Sequence, residues 1–200
     1  MSERGRSLAW LALLLLAALI IGVFLVSASV FDPPVNGVTV EERPLPSPTT
    51  LSPDRPFLAW LDGSLPVTNY TLRLTAVHKS GEPDVGYGLI IGDEDIASGD
   101  GDIAVTVLVS PLGYVAVRVG ETAVVPWQPW PHVHTGAEPN EIWLNVGGVE
   151  GNGGVSVRIN RELLWAGEVG HLPGRVGLVG ENYGGGETAV VQWAKLEVQE

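Results

Sequence analysis

Between Asn140 and Gly180 apolar residues return at every second position. Ile142, Leu144 and Val146 alternate with more polar neighbours, and Val155, Val157 and Ile159 do the same. Leu163 and Trp165 come after the turn Asn160-Arg161, and Val176 and Leu178 close the series after a loop. A period of two sends one side of each segment into a core and the other side out of it. An amphipathic helix needs apolar spacings of three and four, which none of these runs supplies. Short alternating runs punctuated by glycine and asparagine predict half-buried antiparallel strands, and they commit the chain to an all-β fold.

The same reading extends toward the N-terminus. Leu58 and Trp60 mark a short strand, and Tyr70, Leu72, Leu74 and Ala76 mark one face of the next, with Arg73 on the other. Val85, Tyr87, Leu89 and Ile91 alternate in VGYGLIIG. Ile103 to Val109 has few polar residues on either face, which predicts a central strand covered on both sides. YVAVRVG comes next, with Arg118 on its outward side. In the last segment, TAVVQWAKLEV, Val191 and Trp193 share one parity while Leu196 and Val198 share the other. One bulge near Ala194-Lys195 returns both sets to the core. The sum is an antiparallel jelly-roll β-sandwich of roughly ten strands.

The N-terminal part of the chain is of a different kind. Residues 8–30 carry no charge and are almost wholly apolar. Roughly 20 such residues, rising about 1.5 Å each, cross a bilayer core. Arg4 and Arg6 lie before this run, and Asp32, Glu41 and Glu42 after it. The positive-inside bias then leaves the N-terminus in the cytoplasm and the domain outside. A cleaved secretory signal, with Val26 and Ala28 before the cut, is the competing reading, and it too exports residues 31–200. Residues 31–56 hold Pro33, Pro34, Pro44, Pro46, Pro48, Pro53 and Pro56, the composition of a semi-rigid linker. The expected organisation is therefore a stub and membrane helix over 1–30, a linker over 31–56 and a sandwich over 57–200.

Charge narrows the partners. The chain has a formal charge of −12 and no cysteine. From Phe57 onward, 7 Lys and Arg face 18 Asp and Glu. Such a field repels nucleic acid and anionic lipid. The lack of cysteine excludes disulfides, thiolate metal sites and cysteine nucleophiles.

Taken in order, NYTLRLTAV, GYGLIIGDED, IAVTVLVSPLGYVAVRVGE, VPWQPWP, NEIWLNV, VSVRINREL, GRVGLVG and VQWAKLEV resemble the concanavalin A-like jelly rolls of the laminin-G and 3-keto-disaccharide hydrolase-like group. The resemblance implies a jelly roll behind a single membrane helix. For function it implies binding of a carbohydrate or another cell-envelope component, or else hydrolysis of 3-keto-disaccharides or related glycosides. Where the group turns at Asn-Gly, this chain has Asn160-Arg161. In the last strand Trp193 and Leu196 keep the family spacing, with Lys195 in place of an acidic residue.

The candidate site residues come from side-chain chemistry. Glycosidases require two carboxylates facing one sugar, and no Glu-x-Asp-x-x-Glu pattern is present. Asp93, Glu94, Asp95, Asp100 and Asp102 supply hard oxygens for calcium, although a plain acidic turn has the same composition. Trp127, Trp130, His132 and His134 lie in the Pro-rich stretch VPWQPWPHVHTG, where indole faces can stack on sugars. Trp130, between Pro129 and Pro131, is expected on a stiff loop facing ligand, and Trp127, after Val124-Val125, is expected to tuck inward. His132 and His134 alternate as a zinc pair would, without a third ligand nearby. His78 and His171 read as surface or strand-end residues. Trp143, Arg73 and Arg118 point outward by parity, which fits either a shared binding surface or packing of Trp143 under a neighbouring loop. The reading favours a binding module over an enzyme, with a structural spacer as the third alternative.

Overall fold

Strands β4 (Tyr70–Gly81) and β13 (Ala189–Gln199) pair antiparallel over most of their length and anchor the larger of two sheets. In the computed structural model the described residues are 10, 13–23, 37–63, 65, 69–92, 105–147, 154–170, 172 and 174–200. They fall into two units, Met1–Asn36 and Gly37–Glu200. Among them the second unit contains thirteen strands. The large sheet runs β1 (Thr39–Glu42), β13, β4, β9 (Asn140–Val146), β10 (Gly154–Ile159) and β11 (Glu162–Glu168), with β2 (Thr49–Leu51) also on β13. The small sheet runs β3 (Phe57–Trp60), β12 (Arg175–Asn182), β5 (Val85–Gly92), β6 (Val105–Val109), β7 (Tyr114–Val119) and β8 (Thr122–Pro129). All pairings are antiparallel, and the two sheets form a jelly-roll β-sandwich.

The alternating residues do what a period of two requires. Leu72, Leu74, Tyr87, Leu89, Ile91, Ile142, Leu144, Val157 and Leu178 meet in one core between the sheets. Strand β6 is buried along its whole length, as the scarcity of polar residues predicts. The bulge in β13 is present: Trp193 faces Ala76 and Lys195 faces Thr75, leaving Ala194 as the extra residue. Trp193 and Leu196 both reach the core as a result. The β10–β11 hairpin closes with Asn160 at φ 51° and Arg161 at φ 79°, both left-handed. That is the geometry of a two-residue primed turn, so the missing glycine strains the hairpin without abolishing it. One detail differs. A register shift in this hairpin leaves Leu163 exposed opposite Arg158, while Trp165 packs on the core.

The segment expected to be a linker is partly sandwich. Strand β1 pairs with Glu197 to Gln199, and β2 pairs with Ala189 to Val191, so the two short strands share one edge of β13. Leu51 is in the core, and Thr49 accepts the indole N–H of Trp193 at 2.9 Å. Arg43 is buried, with its guanidinium on the carbonyl of Gly63 and the carboxylate of Glu41. Proline cannot donate to a ladder, but an edge strand needs only part of its donors, and the proline-free runs 39–42 and 49–51 supply them. Composition showed the prolines and hid the pairing between them.

In the first unit, residue 10 and residues 13–23 are helical. Leu14, Leu15, Leu19 and Ile20 are each about 60% exposed on this helix. Among the described residues no helix is long and apolar enough to cross a membrane. The remainder of the apolar run 8–30 lies outside the described residues.

Candidate functional site

On the outer side of the small sheet, Leu108 and Ala116 alternate with core residues of β6 and β7 and form a second apolar cluster with Ile90 and Val179. Strand β8 lies at the edge of this sheet. Val117 faces Val125 and Val115 faces Gln128, so three residue steps of β8 span two of β7. This bulge inverts the parity after Val125 and turns Trp127 away from the core. The sequence expectation for Trp127 is thereby reversed: it is 37% exposed and stands on a strand rather than in a loop. Its indole rests on the backbone of β5. A Cβ on Gly86 would lie 2.8 Å from Trp127 Cζ2, so any larger residue at 86 would displace the ring from this position.

Trp127 forms one wall of a groove of about 430 Å3 lined also by Tyr183, Tyr114, Leu112, Asp84 and Ser110. The rings of Trp127 and Tyr183 meet edge to face, 5.9 Å between centroids and 85° between planes. Tyr183 is 46% and Tyr114 40% exposed. Perpendicular aromatic walls, one on a strand and one just past a strand end, present flat apolar faces to a ligand.

A charged pair braces this wall. Arg118 grips Glu181 through two parallel bonds of 2.9 and 2.6 Å, and the hydroxyl of Tyr183 donates to the same carboxylate. Burial pushes the Glu181 carboxyl up, but the Arg118 fork and the Tyr183 hydroxyl outweigh it and hold the group below its ordinary value. Burial and the adjoining Glu181 carboxylate raise the Tyr183 phenol to about 12. The Arg118 guanidinium is held above its ordinary value by its bonds to Glu181. Glu181 is thus an ionised brace, and Arg118 is occupied by it. Glycoside hydrolysis needs two free carboxylates, and among the described groove residues Asp84 alone offers one.

The other candidates are not gathered here. Trp130, expected to face ligand, packs against the core, and its buried indole N–H has no acceptor among the described residues. Its backbone N–H bonds to Gly113, the next pairing position after β8, where the inverted parity points inward. His132 lies against the Trp130 ring with centroids 5.7 Å apart, away from the groove lining. His134 Nδ1 sits 2.8 Å from the Pro139 carbonyl. His78, expected at the surface or a strand end, lies near the end of β4 but is buried, with Nε2 on the Glu82 carbonyl. Among the described residues no group of His, Cys, Asp and Glu could hold a metal. Asp93, Glu94, Asp95, Asp100, Asp102 and His171 lie outside the described residues.

Trp143, Arg73 and Arg118 do not share a surface. Trp143 and Arg73 are on the outer side of the large sheet, where the guanidinium covers the indole at 4.8 Å. Trp143 is only 5% exposed, and its N–H donates to Glu141. That face is a ladder of charges: Arg73 bridges Glu141 at 2.7 Å and Glu197 at 3.8 Å, and Lys195 bridges Glu197 at 2.9 Å. No ring face is left open on Trp143. The residues missed by sequence reading are Tyr183, Tyr114 and Asp84. Parity alone places Tyr114 outward beside Val115, but its place in one groove with Tyr183 depends on the register of four strands, β12, β5, β6 and β7.

No family model and no curated sequence matches the chain. Among solved structures, the carbohydrate recognition domain of Emp47p matches with a TM-score of 0.51 at 17% identity, over 84% of this chain and 90% of that one. The carbohydrate binding module CBM66 from Bacillus subtilis matches with a TM-score of 0.50 at 14% identity, over 72% of this chain and 82% of that one. At these identities the likeness is one of fold, and the fold to which Gly37–Glu200 belongs is the concanavalin A-like jelly roll.

Proposed function

We propose that the chain is an exported glycan-binding module, tethered to a membrane through its N-terminal apolar run, whose ligand stacks on Trp127 in the groove it shares with Tyr183 and Tyr114. The observation that carries this reading is an exposed indole lying against Gly86 and met edge to face by a second ring. A sugar presents C–H faces to such rings and hydroxyls to the groups around them. Two of the structural neighbours are carbohydrate-binding domains on the same fold. The site still has to carry the argument, because one fold hosts many functions. The tether rests on the uncharged run 8–30 and on the exposed apolar side chains of its described helix.

Binding of the full chain in detergent to a glycan array tests this reading. The best-bound glycan is then titrated against Trp127→Ala and Trp130→Ala. Loss of one aromatic stack, on the order of 1 kcal/mol, weakens binding about fivefold in Trp127→Ala. Trp130→Ala loses thermal stability, because its ring packs on the core. Full binding by Trp127→Ala, with binding lost in a folded Trp130→Ala, overturns the assignment.

A further inference from the structure

The groove also carries a charge pattern that narrows its ligand, given the glycan reading on which this step rests. Both Arg118 Nη atoms are spent on Glu181, so no described cation in the lining is free to receive a carboxylate, sulfate or phosphate. Asp84 is in the opposite condition. Its carboxylate has no hydrogen bond or ion pair among the described residues, yet its backbone is fixed. The Asp84 N–H donates to Glu82 Oε1 at 3.0 Å, and its carbonyl accepts from Tyr183 N at 2.9 Å. An unpartnered carboxylate therefore stands on a fixed backbone in a groove with three aromatic rings, with the Glu82 carboxylate bonded to the Asp84 N–H, on a chain of formal charge −12. Aromatic faces attract ammonium groups through the ring quadrupole, Trp most strongly, and a nearby carboxylate adds to the attraction. Anionic sugars meet only repulsion.

We infer that the groove binds a saccharide bearing a free, protonated amine, with the ammonium between Asp84 and the faces of Trp127 and Tyr183. N-acetylated and neutral sugars keep the stacking and lose the charge contact. Uronates and sulfated sugars are rejected.

Calorimetric titration of the full chain in detergent, below the pKa of the amine and at low salt, tests this with tetramers of glucosamine, of N-acetylglucosamine and of galacturonate. Tetramethylammonium serves as a sugar-free probe of the rings. The free-amine tetramer binds about tenfold tighter than the acetylated one, and galacturonate binds weakest. Asp84→Asn brings the free-amine tetramer down to the acetylated level. Glu168→Gln, an equal loss of charge on the exposed side of β11, leaves it unchanged. Equal affinity for the free-amine and acetylated tetramers, still weakened by Trp127→Ala, overturns the ammonium site and leaves the glycan reading standing. Equal losses in Asp84→Asn and Glu168→Gln reduce the effect to general charge attraction and overturn the site as well. Should no tetramer bind while tetramethylammonium binds in an Asp84-dependent way, the cation site stands and the glycan reading falls. Binding of neither overturns both.

Discussion

The two outer faces of the sandwich are written in the same alternating pattern and finish in opposite states. On the large sheet, Arg73, Glu141, Lys195 and Glu197 sit across neighbouring strands and zip into a ladder that closes over Trp143. On the small sheet a single arginine–glutamate pair is drawn under Tyr183, and the rings of Trp127, Tyr183 and Tyr114 stay open beside a groove. An outward tryptophan is therefore not in itself a ligand surface. Its neighbours across the sheet decide whether a guanidinium covers it, as at Trp143, or a glycine leaves room for its ring, as at Trp127. This contrast leaves one face closed by its own charges and the other with open rings, the face on which the proposed glycan site lies.

Trp143→Ala is the largest way to break that contrast. With the ring covered and its N–H bonded to Glu141, truncation is expected to destabilise the domain by about 3–5 kcal/mol, in the range of buried aromatic deletions. Chemical denaturation measures it. Glycan affinity of the folded fraction should stay at the wild-type value. A stable Trp143→Ala protein that has lost its ligand would move the site to the large sheet.

The fold was legible because its signal is local. Alternation in Tyr70–Ala76, Val85–Ile91 and Ile142–Val146 states which residues face the core, and even the β13 bulge shows in sequence as a phase error between Trp193 and Leu196. The site was only half legible, and the Trp127–Trp130 reversal shows why. The bulge in β8 leaves no such phase error, because Pro126 and Pro129 break the alternation that would reveal it. Arg118 was identified as outward but assigned the wrong company, since parity specifies a side of a strand and not a sheet. Tyr183 and Asp84 come together only through the contact of two loops, the Tyr183 N–H on the Asp84 carbonyl. The Pro-rich stretch 37–56 misled for a third reason: composition describes average behaviour, whereas Leu51 and Thr49 are two particular contacts.

Acid sharpens the contrast by a smaller amount. The Lys195 ammonium holds the Glu197 carboxyl below its ordinary 4.5. Burial raises Glu141, but its bonds to Arg73 and Trp143 outweigh that and leave it depressed as well. A depressed carboxyl contributes stability that is present in full above 4.5 and disappears as pH falls below 4.5 through the folded-state value. Glu141→Gln and Glu197→Gln should therefore each be less stable than wild type at pH 7, by about 1 kcal/mol at most after solvent screening. Their deficits should close as the pH is lowered from 4.5 through the folded-state values, where the wild-type carboxyls become protonated too. Melting curves across that range check it, and a deficit independent of pH would mean that packing, not charge, holds the ladder.

The smallest effect is spectroscopic and isolates the brace beneath the groove. Two phenols are raised to about 12, one on β4 and one just past β12: Tyr70 by burial alone, Tyr183 by burial together with the Glu181 carboxylate. Both protonated phenols favour the fold below the ordinary value of 10, a contribution lost as pH rises from there toward 12. Glu181→Gln removes the second cause at Tyr183 and leaves the Arg118 charge uncompensated beside it, which favours the phenolate. Tyr183 should then titrate below its wild-type value, moving toward 10, while Tyr70 stays near 12 as the internal reference. Resonances of isotope-labelled tyrosine, assigned with Tyr183→Phe, track the two rings separately. If Tyr183 still titrates near 12 in Glu181→Gln, burial alone holds the ring, and the Arg118–Glu181 pair is not what braces the aromatic wall.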